Sequence, residues 1–500
     1  MEHIISFQNL EVSPYIVEQL LDVHINQQIN EHSTLYFKAL LSDEKKDSYV
    51  KSNSQGSNVS LLVRKPGGNR DILFQGMVQD VEIEAVQGSY YMEVYAVSHS
   101  YLLDVEKKSR TFQNKKMSYS ELIQQVTADH TGAMIKDTVT QGAATGQLIV
   151  QYNETDWEFL KRLASHFNTG LVNDVHFEHP SCYFGIPQNG ELTFEISNYG
   201  VKKDFAKYMQ LSKNGINGLH EQDFIYYQVE TYLPANIGDK VLFQNHILYV
   251  CQVEGRVEKG IFINHLTLTT LKGMSQQYQW HDRIAGVSLN AKIVEVQNDQ
   301  VKVSLEIDET LGHTPGEMCL FPYSTIYSSK DGSGWYCMPE IGDHVRIYFP
   351  DGVEEHGYAI SSVHEEVDSS MGQSRSIDSS NGLSSGTGAD GSASGENYSG
   401  QRDNPSVKSI RNQDGKEIRL TPDGIYIIAD GTTITLTDAG GVSIVSDQNI
   451  EFKAGQSIIL CGEEDVNVIG MTGINLCCNE TASITMDDNI KVIGQEVKAN

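Results

Sequence analysis

Aromatic residues are almost missing from the last quarter of this 500-residue chain. Of its 43 Phe, Trp and Tyr, only Tyr398, Tyr426 and Phe452 lie beyond residue 365. A core filled with rings is excluded there. Basic charge is also scarce: 37 Lys+Arg face 66 Asp+Glu, a formal net charge of −29. That balance excludes nucleic-acid or anionic-lipid binding through a broad basic surface. The seven cysteines are scattered, odd in number and contain no C-x-x-C. Neither a disulfide framework nor a zinc site is expected, and synthesis in a reducing cytosol fits. No apolar run approaches the roughly 18 residues that span a bilayer. The opening MEHIISFQNLEVSP has no basic region followed by an apolar one, so no secretory signal is expected.

What is present suits folded domains. Hydrophobic content is 39%, and at about 150 residues per domain the length predicts three or four domains. Up to about residue 105 the chain reads as strands. Leu21, Val23 and Ile25 alternate with polar residues, as do Leu35, Phe37, Ala39 and Leu41, and Gly-rich connections at 66–69 and 88–89 punctuate the runs. Two helices follow, around 119–130 and 156–168. Ser118 with Glu121 and Thr155 with Glu158 each have capping-box spacing, and Gly170 is the expected stop of the second helix. Strands return over 171–272, and a further block at 285–365 suits a small closed barrel of the OB type.

Residues 367–404 differ in kind: 18 of 38 are Ser or Gly, the composition of a flexible linker. Beyond it, apolar-x-apolar triplets begin at Ile418, Ile425, Ile434, Val442, Ile450, Ile458, Val466, Ile474, Ile484 and Ile490, mostly eight residues apart. One short strand and one turn per unit cannot bury an apolar face alone, so the units must stack. Two arrangements satisfy the period: one chain coiling with three octads per turn, or three chains intertwined.

The chemical motifs do not survive their context. Gly382–Gly386 (GLSSG) matches a nucleophile elbow, and the run from Gly386 to Gly391 matches G-x-G-x-x-G. Each needs a strand before it and a helix after it, which a Ser/Gly linker does not supply. His176, Glu178 and His179 are read as strand residues, which puts the two histidines on opposite faces and makes them surface or edge residues rather than ligands. Cys461 and Cys477, equivalent in the repeat to Ile469, are read as apolar filler, and the neighbouring Cys478 is not taken as a redox pair. The acids Glu365, Asp368, Glu463, Glu464 and Asp465 are read as solvated charges. No catalytic, cofactor-binding or metal-binding residue is assigned, no cofactor is expected, and the expectation is a non-enzymatic protein.

Taken in order, QYNETDWEFLKRLASHFNTGLV, the strand ending CYFGIP, the segment GWYCMPEIGDHVRIYFP and the run DNPSVKSIRNQDGKEIRLTPDGIYI resemble the VgrG spike and phage late-control (tail hub) family of contractile injection systems. The resemblance implies a mainly β chain in four parts. These are a hub of two β-barrels with helical inserts (1–275), an OB-fold neck barrel (285–365), a Ser/Gly-rich linker (366–405) and a C-terminal triple-stranded β-helix of an intertwined trimer (406–500). It implies a mechanical spike of a type VI system, phage tail or tailocin that caps the tail tube and punctures an envelope. Its expected partners are two further copies, an Hcp-like tube protein, baseplate proteins, a separate PAAR-type tip protein and effectors. It would be assembled in the cytoplasm and ejected with the tube, or carried in a phage-like particle. Gln151, Tyr152, Glu154, Trp157, Phe159 and Leu160, which match the motif, would be structural. A tail-associated cell-wall or polysaccharide hydrolase is the alternative, and an adhesive β-solenoid a weaker third.

Overall fold

The computed structural model describes residues 4–45, 49, 56–65, 68–196, 198–308, 314–326, 338–361, 407–412, 414–478, 482–486 and 490–493. The linker with its two glycine motifs, Glu365, Asp368, Trp335 and Tyr336 lie outside the described residues. The chain divides into two compact units, 1–365 and 366–500.

Most of the first unit hangs on one eleven-stranded sheet. Strands Leu10–Ser13, Asn58–Arg64, Arg70–Val86, Ser89–Ser98, Thr34–Leu41 and Gln19–Gln28 follow one another across its first half. Strands His246–Glu258, Ile261–Thr269, Ile225–Thr231 and Tyr199–Lys203 make the second half, with Lys240–Phe243 pairing off the path. The halves join where Gln19–Gln28 pairs antiparallel with His246–Glu258. Each half has its own core, one around Phe37, Leu61, Phe74 and Val94, the other around Val241, Val250, Val253 and Leu268.

The alternation in the second strand is not the simple one. A bulge between Leu20 and Asp22 shifts the register, so Leu20 is buried beside Val23 and Ile25 while Leu21 turns out to solvent. Period two predicts faces only while the ladder is unbroken.

Between the two halves of the sheet the chain builds a helical insert. Helices α1 (Tyr119–Thr127) and α2 (Asp156–Ser165) both begin with complete capping boxes, Ser118 with Glu121 and Thr155 with Glu158. Glycine is not the stop of α2: the chain leaves through Asn168 in the left-handed region at φ 52°. Gly170 answers a different need, because a Cβ there would stand 2.5 Å from Asn30 Oδ1. Around the helices lie a three-stranded sheet (Leu171–Asn173, Ser181–Phe184, Met134–Asp137) and the pair Lys107–Phe112 with Ile149–Thr155. Helix α3 (Phe205–Lys213) stands where the sequence was read as strand throughout; Asp204 caps it by accepting from the Lys207 amide.

Residues 288–360 form a five-stranded antiparallel sheet in the order Leu320–Pro322, Gln300–Leu305, Ser288–Gln297, His344–Tyr348 and Tyr358–Ile360. A parallel bridge from Tyr323 to Ala359 joins its two ends and closes it, around Val301, Val303, Ile347 and Phe349.

The second unit holds a five-stranded antiparallel meander over Lys408–Arg411, Glu417–Thr421, Gly424–Ala429, Thr432–Thr437 and Gly441–Ser446. Its register sets Ile410, Ile418, Ile427, Ile434 and Ile444 in one row across all five strands. A second row on the same face runs Leu420, Ile425, Leu436 and Val442. Among the described residues nothing buries this face fully: Ile410 is 54% and Val442 68% exposed. From 447 to 473 the chain bends every eight residues, at 447–448, 455–456, 463–464 and 471–472, and forms no strand with itself. A single coil of three octads per turn would set parallel pairs 24 residues apart. Among the described residues there are none.

Candidate functional site: a charge cluster between the helical insert and the five-stranded barrel

The segment 148–165 reaches two cores at once and touches the turn after Gln19–Gln28. Leu148, Val150 and Tyr152 pack with the five-stranded barrel. Ile149, Trp157, Phe159 and Leu160 fill the core of the insert, with Phe159 stacked on Phe112 at 5.8 Å. Trp157 also lies 4.4 Å from the ring of His32, in the connection from that strand to Thr34–Leu41. These residues work as structural joints.

The polar residues between them form two buried clusters. In the first, Asp156 is fully buried at the start of α2. Its Oδ1 accepts from Arg110 Nη2 at 2.8 Å and Gln151 Nε2 at 3.0 Å. Its Oδ2 lies 2.9 Å from Lys108 Nζ and 2.7 Å from His130 Nε2. Burial works to raise its pKa, but His130, Lys108, Gln151 and Arg110 together bring the carboxyl down to about 2. Gln151 completes the frame by accepting from Arg110 Nε at 2.8 Å and donating to Glu154 O at 3.1 Å.

Arg162, one face further along α2, is the centre of the second. Its Nε and Nη2 grip Glu154 at 3.0 and 2.9 Å, Nη2 also donates to Val150 O at 2.6 Å, and Nη1 reaches Glu354 Oε1 at 2.8 Å. A planar guanidinium with five donors is suited to such a three-way junction. Burial pushes the Glu354 carboxyl up, with Arg162 offsetting part of that rise. His281 is 1% exposed, 3.8 Å from Glu154 Oε2, and neither of its ring nitrogens has a hydrogen-bond partner. Burial, helped by Arg162 and Arg283, depresses it to about 3, so the imidazole is neutral at ordinary pH.

Glu354 belongs to the barrel, and it does not bridge alone. Thr111 N donates to Asp308 Oδ1 at 2.6 Å and its hydroxyl to Oδ2. Gln113 Oε1 accepts from Cys319 N at 3.1 Å. Arg283 clamps Glu158 with two contacts of 2.7 and 2.6 Å. The arrangement locks insert and barrel together.

Among the residues singled out by sequence, Gln151 and Glu154 fall in these clusters. His176, Glu178 and His179 do not, and they occupy a turn rather than a strand: His176 Nδ1 contacts Asp174 at 2.8 Å and Glu178 accepts from Gln75 at 3.2 Å. Cys461 and Cys477 are exposed within the single chain. Among the described residues, no group of three or more His, Cys, Asp or Glu is placed to hold a metal, and no helix is long and apolar enough to cross a membrane. Sequence reasoning passed over Asp156 and Arg162 inside the motif it had marked, and over Glu354, which carries no local signal.

Residues 28–179, the segment holding α1, α2 and the insert side of both charge clusters, match the phage tail baseplate hub (GPD) family. Over that segment the chain is similar to a tail hub. Over 85% of this chain and 83% of theirs, a chain of the half-lidded Francisella PdpA-VgrG complex superposes with a TM-score of 0.50 at 9% identity. The lidless form of that complex gives 0.50 at 10% identity, over 85% of this chain and 93% of its own. An E. coli protein, c3393, described as a type VI secretion component similar to the T4 tail proteins gp27 and gp5, covers 71% of this chain and 99% of itself at 12% identity and a TM-score of 0.49. No curated protein matches. The matched family is a structural tail hub, and the similar folds come from tail and secretion complexes.

Proposed function

We propose that the chain is the hub and spike of a contractile injection machine and acts as a homotrimer. Residues 1–275 form the hub beneath the tail tube, 285–365 the neck, 366–405 the linker and 406–500 the needle, which punctures the target envelope mechanically. The observation that carries this reading is the face of nine aliphatic side chains at 410–444 that its own chain leaves open. Burying apolar surface is worth about 25 cal/mol per Å², so a face of this size is retained only if something covers it. Three such faces meeting one another form a closed apolar interior with room for aliphatic groups but not rings. The octads at 450–473 lack partners within the chain, and a strand's unpaired amides and carbonyls need them; other copies supply them.

A hub of this kind joins an Hcp-like tube protein and baseplate proteins on one side and a PAAR-type tip on the other. The locked junction of insert and barrel suits a part that transmits thrust without chemistry. Native mass measurement of the full chain at micromolar concentration is the test. A species near three times 55.6 kDa is expected; a monomer overturns the reading.

A further inference from the structure

Helix α3 and the edge strand Tyr199–Lys203 flank a cavity of about 330 Å³ whose chemistry is opposite to that of the whole chain. Its floor is a cross-strand ladder, Gln28 beside Gln252, Gln252 beside Thr267, and Thr267 beside Gln228. Lys202 and Lys207 stand over it, with Tyr226 and Gln276. Lys207 Nζ donates to Gly273 O at 3.0 Å and forms no ion pair. Burial lowers its pKa. The one acid in the lining, Asp204, is occupied in capping α3, and Lys202 lies 3.9 Å from it with a side chain 70% exposed. In a chain with 66 acids and 37 bases, a half-buried ammonium without a carboxylate is a cation awaiting its counter-charge.

The same chain carries carboxylates in the converse position. In the hairpin of Arg70–Val86 and Ser89–Ser98, the inner strand stays paired with Thr34–Leu41 down to Tyr90 and buries Met92, whereas no residue of the outer strand from Gln79 to Val86 is buried. Asp80, Glu82 and Glu84 project on one face at alternate positions, all exposed and in no salt bridge, and Val86 beside the turn is 40% exposed. Hairpin and cavity lie in opposite halves of the eleven-stranded sheet.

We infer that the acidic hairpin of one copy docks on the Lys202–Lys207 cavity of the next, with Glu82 and Glu84 facing the two ammonium groups and the glutamine ladder bonding to the hairpin backbone. The inference rests on the trimeric reading and specifies the contact: a heterologous one, hairpin to cavity, which closes after three copies. It is separate from the meeting of needle faces.

A zero-length carbodiimide cross-linker, which joins only amines and carboxylates already in contact, tests this on a mixture of isotope-labelled and unlabelled full-length chains. Mixed-isotope cross-links from Lys202 or Lys207 to Glu82 or Glu84 are expected. Glu82→Lys with Glu84→Lys should reduce them at least tenfold. Lys202→Glu with Lys207→Glu in the same chain should restore cross-links in the reversed sense, and circular dichroism reports whether each variant folds. An intact trimer without these cross-links, or with them only inside one chain, overturns the docking while leaving the trimer standing. A monomeric mass overturns both.

Discussion

Two buried histidines make the first unit sensitive to acid. His281 is depressed to about 3 and His166 to about 4, in both cases chiefly by burial with Arg162 adding to it. In the unfolded chain both return to about 6.5. Below that value the unfolded state binds the extra protons, so folding stability falls as pH drops, by up to about 1.4 kcal/mol per histidine per pH unit until the folded pKa is reached. Thermal unfolding followed from pH 7.5 to 5 should therefore show a falling Tm, and His166→Gln with His281→Gln should flatten the slope. Asp156 acts in a different window. Its pKa near 2 lies below the ordinary carboxylate value, so its contribution is complete above about pH 4 and disappears only as pH falls toward 2. Asp156→Asn leaves Lys108, Arg110 and His130 without their shared counter-ion. A loss of about 3–5 kcal/mol is expected in denaturant unfolding at pH 7; a change under 1 kcal/mol would mean that Gln151, which accepts from Arg110, and Asp129, 2.8 Å from Lys108 Nζ, suffice for them.

At the scale of elements, the meander of the second unit is a sheet with one apolar face. Ile427 sits in the middle of its isoleucine row, and Ile427→Asp places a charge where the proposed trimer packs its copies. The expected outcome is loss of the trimeric mass with the hub's circular dichroism and Tm retained; a trimer of unchanged mass would show that this face is not the contact. This face was legible in the sequence, because strict alternation survives wherever the ladder has no bulge. The octads also predicted strands at Ile450, Ile458 and Val466, but from 447 to 473 the chain forms none with itself, because eight-residue spacing fits a coil or an intertwined set and neither partner is specified locally. Both capping boxes were readable because they are local. Helix α3 was not, since its apolar positions Phe205 and Met209 are exposed and the core-facing stripe reduces to Leu211. The Arg162–Glu354 contact spans 192 residues, and no local pattern foretells a partner supplied by tertiary packing. Leu21 was misplaced by one bulge, and Gly170 was assigned to helix termination when close approach to Asn30 requires it.

Over the whole molecule the scarcity of aromatic residues and the excess of acid have different distributions and different causes. Rings are plentiful in the hub, where thick cores between sheet and helices take Trp157, Phe159 and Phe184. Beyond residue 405 only Tyr426 and Phe452 remain, on short strands and bends whose side chains are mostly exposed in the single chain. Acid prevails throughout, yet α3 and its edge strand collect Lys202, Lys203, Lys207 and Lys213. Net charge describes solubility and long-range steering, whereas this local reversal marks a place where another surface fits.

In the proposed trimer the isoleucine row also makes folding depend on encounter. A domain that closes its own core folds at a rate set by the chain alone. Residues 408–446 reach a covered state only when other chains arrive, so in a trimer the final step is governed by how many copies are present at once. A lone copy, however well its hub has folded, keeps the row in water and stays open to off-pathway association. Synthesis of several chains close together is thus built into the requirement of five isoleucines in register.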